Sequence, residues 1–348
     1  MAENDKREEI LELGKFGLIA KLSEKFQIHH ASTLSGIGCD AAVLKSSKNN
    51  SLLSSKIFLE NVHFDLTYFP LKHLGYKTIA VAISDILGMN GTPTQVVVNI
   101  AVSNRFSIET VNELTTGMQL CCNRYKIDLI GLDLTTSQSG LTIAVSVSGE
   151  VESEDLVKRN GAKENELICV SGDFGAAYTG LILLEREKKV FEVDPNSQPD
   201  FDGYDYVLER QLKPEPRLDI IEALKKENIK PSAMINVSDG LASALINLCK
   251  ASHMGCDIFE NKIPIDAVTF QTLKEMKIVA TTIALNGGED YELLFTIPQS
   301  DYEKIKKVEN ISIIGYIKEA VAGYHLITND NCQIELQAQG FGNVTDQN

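Results

Sequence analysis

Residues 54–89 constrain this chain more than any other stretch. They begin inside an alternating segment, 52–64, which predicts a strand and carries a lone His63. After Pro70 the run 71–89 is apolar on nearly every side. A helix with no polar face has to be buried, so other elements must cover it. Gly91, Thr92 and Pro93 are expected to end it. The following segments supply the cover. Residues 95–102 (QVVVNIAV) form a dense β-branched strand. Residues 107–125 read as a helix with Ser107 as N-cap and Glu109 in the first turn. Residues 128–132 and 141–151 read as strands around a turn at 135–140. This alternation implies a mixed α/β domain that ends near Glu152.

The rest of the chain repeats the style. Residues 7–26 carry Leu11, Leu13, Phe16, Ile19 and Leu22 on one helical face, and GIGCDAAVL turns into a short strand at 41–44. Beyond Glu152 a strand at 167–171 meets a glycine turn and a helix from Ala176. Residues 194–204 are rich in Pro, Asp and Gly and predict a surface loop. A helix follows Pro216, and a strand at 232–237 leads into a helix capped at Ser238 or Asp239. A Gly-Gly turn precedes the strand ELLFTI, and 311–317 and 325–327 finish the sheet. With 348 residues, a division into 1–152 and 153–348 is expected, each half able to bury its own core.

Net charge is −15, from 48 acidic and 33 basic residues. That balance argues against nucleic acid and anionic membranes as partners. The N-terminus MAENDKREEI has no apolar signal core, and no apolar run reaches spanning length. The cytoplasm is the expected location. Seven cysteines include no CxxC pair, so reduced, packed thiols are expected.

Acidic residues recur beside small ones at turns and helix ends: Asp40, Asp85, Asp133, Asp239 and the pair Glu289-Asp290. Singly, an Asp next to Gly or Ser is most simply a turn former or cap. Together they suit a hard cation that bridges carboxylates to phosphate oxygens, as Mg²⁺ does. The chain has no GxxxxGK[ST] loop and no HRD or DFG kinase set, so phosphoryl transfer would need another scaffold.

The segments GIGCDAAVL, ENVHF, LGYKTIAVAISDILGMNGTP, LIGLD, GAK after Arg159, SAMINVSDGLASAL and ALNGGEDYELLFT occur in an order that resembles the thiamine-monophosphate kinase family. That family lies within the aminoimidazole ribonucleotide synthetase-like superfamily. The resemblance covers nearly the whole chain. It implies a two-domain α/β fold with mixed sheets and a homodimer formed through the N-terminal strands. It further implies that residues 1–152 bind ATP and metal and dimerise, that 153–348 complete the cleft, and that the γ-phosphoryl group of ATP passes to thiamine monophosphate. By motif it assigns Asp40, Ser54, Ser55, Asp85, Asp133, Asn236 and Asp239 to Mg²⁺. It assigns Leu132, Asp133, Arg159 and Ser238 to ATP, and His63, Glu289 and Phe341 to the acceptor.

Several positions depart from the family pattern: Cys39, Lys56, Leu132, Asn236, Ala244 and Ala338. Lys56 puts an ammonium where the family has a metal-bridging acid. Two readings stay open for it: the ammonium takes the place of an ion and holds phosphate, or it points to solvent. Two functions accordingly stand side by side, the kinase and a relative that keeps the fold with altered or no catalysis.

Overall fold

The first helix of the described chain, α1 (Leu71–Leu87), is buried from Leu74 to Leu87 without interruption. This computed structural model describes residues 31, 33–35, 40–46, 49–199 and 201–338. The helical pattern at 7–26, Cys39 and Phe341 lie outside the described residues.

Two elements enclose α1. Beneath it lies a six-stranded sheet built from β1 (Thr33–Ser35), β2 (Ala42–Lys45), β3 (Asn50–Leu59), β4 (Thr92–Val102), β5 (Asp128–Thr136) and β6 (Thr142–Val151), in the order β1-β2-β3-β6-β4-β5. Beside it lies α2 (Ile108–Tyr125). The two helices pack close: a Cβ on Gly75 would sit 1.9 Å from the Leu114 carbonyl oxygen, and one on Gly117 1.9 Å from that of Lys72. Only glycine permits this approach. Helix α2 starts as expected, with the Thr110 amide donating to Ser107 Oγ. It is the crossover between β4 and β5, which run parallel. Ile79, Ile83 and Ile86 of α1 pack with Val96, Val98 and Ile100 of β4 and Val145 and Val147 of β6.

The second sheet has seven strands. They are β7 (Leu167–Ser171), β8 (Ala233–Val237), β9 (Met254–Phe259), β10 (Glu292–Ile297), β11 (Ile311–Glu319), β12 (Tyr324–Ile327) and β13 (Gln333–Glu335), in the order β13-β12-β9-β11-β7-β10-β8. All neighbours are antiparallel except β9 and β12. Helices α3 (Ala176–Val193), α4 (Asp205–Leu212), α5 (Leu218–Lys226), α6 (Leu241–Ser252), α7 (Ala267–Glu275), α8 (Ala280–Asn286) and α9 (Tyr302–Ile305) surround it. Both faces are covered. Ile168, Val170, Ile235 and Leu294 pack with α6 on one side, while Cys169, Met234, Leu293 and Phe295 pack with α5 on the other. Two covered faces explain why ELLFTI reads as a continuous apolar strand after Glu292. Leu87, at the end of α1, belongs to this second cluster, so the buried helix touches both sheets.

Several expectations need correction. The strand expected over 52–64 ends at Leu59, and His63 sits in the turn beyond it. Thr92 and Pro93 already belong to β4. Helix α4 lies between the loop expected at 194–204 and the helix expected after Pro216, where no element was expected, and β9 and β13 were not anticipated either. Neither Ser238 nor Asp239 caps α6. Gly240 is its N-cap at φ 96°, and a Cβ there would meet the Leu285 carbonyl oxygen at 2.7 Å. The left-handed backbone at Gly240 leaves Ser238 and Asp239 one step outside the helix. Among the described residues no helix is long and apolar enough to cross a membrane.

Candidate active site

The alternation of β3 puts Ser54 and Lys56 on the face that looks at α1. Asp85 meets them there from the last turn of α1. Ser54 Oγ donates to Asp85 Oδ2 at 2.6 Å, and Lys56 Nζ lies 2.9 Å from the same oxygen. Asn236 Nδ2, from β8 of the second sheet, donates to Asp85 Oδ1 at 3.1 Å. The inward position of Lys56 rules out the solvent-facing reading.

Asp40 adjoins this group. Its Oδ2 accepts from the Asn236 amide at 3.2 Å, and its Oδ1 is paired with Arg159 Nη2. Burial pushes the Asp40 carboxyl up to about 6, against the pull of Arg159, and neighbouring Asp85 adds to the rise. Burial works against the charge on Lys56, but Asp85 above all, with Asp40 and Asp239, raises its pKa beyond the ordinary lysine value. The group thus unites β2's approach, β3, α1, Arg159 and β8. Asn236 Oδ1 and Arg159 Nε are both buried and have no hydrogen-bond partner. An orphaned acceptor on Asn236 and an orphaned donor on Arg159, two residues that both bond to Asp40, suit a ligand that carries both a cation and anionic oxygens.

A second charged group lies along α1. Lys77 is buried, and its Nζ donates to Glu289 Oε2 at 2.8 Å and to the Gln211 carbonyl at 2.8 Å. Glu289 stands in a turn of unusual backbone: Gly288, Glu289 and Tyr291 all have positive φ, 77°, 61° and 52°. For residues other than glycine each such position costs about 1–2 kcal/mol. The turn is held by its neighbours. The Glu289 and Tyr291 amides donate to the Ser238 and Val237 carbonyls at 2.8 and 3.0 Å. Asp290 is fully committed, accepting from the Gly175 and Ala177 amides at the start of α3. Glu292 is buried between Arg210 and Arg217. Of the three acids in GGEDYELLFT, then, Asp290 and Glu292 anchor the fold and only Glu289 remains part exposed.

His63 follows β3 and is half-buried. Its Nδ1 accepts from the Leu59 amide at 3.0 Å, so the neutral ring carries its proton on Nε2. Ser238 Oγ donates to Asp239 Oδ2 at 2.7 Å, and Asp239 is near enough to Lys56 to stabilise its charge.

Not every expected residue joins. Ser55 points to the opposite face of the sheet, where its Oγ is 3.1 Å from Ser146 Oγ. Leu132 and Asp133 are exposed on β5. Asp133 is in register with Asn99, Ala144 and Ile57, three strand spacings or roughly 14 Å from β3. Ala244 is buried in the α6 core and Ala338 packs against it. Sequence reasoning missed Lys77 and Arg210. The signal for Lys77 was present as a lysine in the buried part of an apolar helix, but its partners lie 134 and 212 positions away.

Residues 38–151 match the AIR synthase related protein, N-terminal domain. The first sheet with α1 and α2 therefore places the chain in that fold class. The thiamine-monophosphate kinase of Buchnera aphidicola subsp. Schizaphis graminum is 34% identical over 337 residues, covering 95% of this chain and 99% of the relative. The thiamine-monophosphate kinase of Bacillus subtilis is 31% identical over 335 residues, covering 94% and 99%. The solved structure of AaThiL complexed with AMPPCP and TMP superposes with a TM-score of 0.81 at 26% identity, covering 97% of this chain and 100% of that one. The chain belongs to the thiamine-monophosphate kinase family.

The Asp40 pKa gives a stability signature. Folded Asp40 keeps its proton up to about pH 6, whereas an unfolded one releases it near 3.8. Between those values the folded state binds more protons, so stability falls as pH rises through that window. Urea unfolding at pH 4 and pH 6.5 should show a smaller loss for Asp40→Asn than for the wild type. An equal or larger loss in the variant contradicts the placement.

Proposed function

We propose that this chain transfers the γ-phosphoryl group of ATP to thiamine monophosphate, with the Asp40–Asp85–Asn236 group as the phosphate end of the site. What carries the reading is the likeness to thiamine-monophosphate kinases over nearly all of the chain. The charged residues gathered from both sheets support it. The acceptor is a phosphate oxygen, already anionic near neutral pH, so no general base is required. The difficulty is electrostatic, since two polyanions must meet in line. Fixed positive charge and positioning are what the protein has to supply.

The residues divide that work. The Arg159 guanidinium, with Nε free of protein acceptors, and the Lys56 ammonium both face phosphate oxygens. Ser238 sits beside Asp239 at the mouth of α6 and contributes a hydroxyl to ATP. His63 offers Nε2–H to the acceptor's phosphate. Glu289, held by Lys77, sets a carboxylate against the cationic thiamine moiety.

Mg²⁺ fits the donor chemistry here. The donors are oxygens, and Asn236 Oδ1 is a buried acceptor that lacks a donor. Asp40, Asp239 and Asn236 would hold it, and when bound it would neutralise phosphate charge, whereas Asp85, already bonded to Ser54 and paired with Lys56, would not be a ligand. Among the described residues no three His, Cys, Asp or Glu side chains gather closely enough to form a metal cage. A metal arriving with the phosphates, which complete its shell, matches that arrangement. The protein's residues then orient the nucleotide and exclude water.

A homodimer through the first sheet, a boundary near residue 152 and a cytoplasmic location complete the proposal. Leu53, Ile57 and Val97 stand exposed on the sheet face away from α1, with Leu132 and Leu134 exposed on β5. Apolar side chains grouped in this way favour a second surface.

Two measurements test the reading. Incubation with ATP, Mg²⁺ and thiamine monophosphate should yield thiamine diphosphate, and Asp85→Ala should lower the rate at least about 10²-fold. A folded protein that forms no product removes the kinase reading in favour of a non-catalytic relative. Light scattering should give the mass of two chains for the wild type and of one for Ile57→Asp. A monomeric wild type rejects the dimer.

A further inference from the structure

Asp85 is an anion in an expensive place. It is buried, and it sits in the last turn of α1, at the negative end of the helix dipole. Each oxygen is already engaged, Oδ1 by Asn236 and Oδ2 by Ser54 and Lys56. Lys56 is the only cation within contact of this carboxylate among the described residues, and Asp40 and Asp239 lie close enough to act on the same ammonium. The Lys56 side chain keeps about a third of its surface open. An ammonium has three N–H donors in fixed tetrahedral array, so the donors not spent on Asp85 remain for a ligand.

We propose that the Lys56 ammonium is the built-in counter-ion of this cleft: it occupies the place of a protein-held divalent cation beside Asp85, so that a metal enters only with the nucleotide's phosphates. The inference rests on the phosphoryl-transfer reading for the identity of that ligand. A divalent ion next to a fixed ammonium is repelled, and Asp85 has no oxygen left without a partner. The absence of any three-residue His, Cys, Asp or Glu cage among the described residues agrees. Asn236 Oδ1, buried and without a donor, is the protein oxygen that would remain for a metal carried by the phosphates. An ammonium differs from a metal ion in being permanently tethered. It keeps Asp85 neutralised when no nucleotide is bound, and it offers hydrogen bonds where a metal would offer coordination.

The test is metal binding without turnover. Mn²⁺ is titrated into the full chain and the free-ion electron paramagnetic resonance signal is followed, with and without ATP. The wild type should take up Mn²⁺ saturably only when ATP is present. Lys56→Asp, and to a smaller degree Lys56→Met, should bind Mn²⁺ without nucleotide at least about tenfold more tightly than the wild type. Saturable binding of Mn²⁺ to the nucleotide-free wild type overturns the proposal, whether or not the variants fold. So do folded variants that bind no better than the wild type. Because these readings need no acceptor and no product, a failed kinase assay leaves them independently interpretable.

Discussion

The Asp85 carboxylate is the group on which the arrangement turns. Helix α1 is buried from Leu74 to its end, and a carboxylate in its last turn has neither water nor a favourable dipole. Left alone, such a group costs several kcal/mol. Three neighbours remove that cost: a hydroxyl from β3, an ammonium from β3 and an amide from β8. The first two come from the sheet beneath α1 and the third from the other sheet. One anion thereby fixes how a helix, its own sheet and a second sheet meet, and the meeting place is the phosphate end of the proposed site.

The same logic extends outward along α1. Lys77 is buried two turns earlier and ties the helix to Gln211 and Glu289. Its partner Glu289 stands in a turn whose left-handed residues persist because backbone bonds to Val237 and Ser238 and the anchor Asp290 over-determine them. Charges of opposite sign thus leave one helix toward the second half of the chain at two levels. Buried pairs of this kind are weak contributors to net stability but strong constraints on geometry when one partner is removed. Geometry is what in-line phosphoryl transfer demands.

Much of this was legible in the sequence, for identifiable reasons. The burial of α1 follows from its lack of a polar face, the start of α2 from Ser107, and β7 and β10 from their β-branched and aromatic runs. Asp40, Asp85, Asn236 and Arg159 were all singled out, and they come together. The misses have physical causes. Helix α4 is short and follows a Pro- and Asp-rich loop, so local signals pointed away from it. Ser238 and Asp239 resemble an N-cap, but the glycine after them takes a backbone that starts α6 later. Asp133 has the right neighbours in sequence, yet β5 is the far edge of its sheet and sets it apart from β3. The direction of Lys56 follows from strand alternation, while its partner could be known only from where α1 lies.

A double-mutant cycle on Lys56 and Asp85 tests the central claim most directly. Denaturant unfolding would be measured for the wild type, Lys56→Met, Asp85→Asn and the double variant, without nucleotide. If the ammonium neutralises the buried carboxylate, the two changes are coupled by roughly 1 kcal/mol or more, and the double variant is less destabilised than the sum of the singles. Additivity within about 0.5 kcal/mol would mean that the two charges do not meet, and the account of the cleft built on them would be wrong.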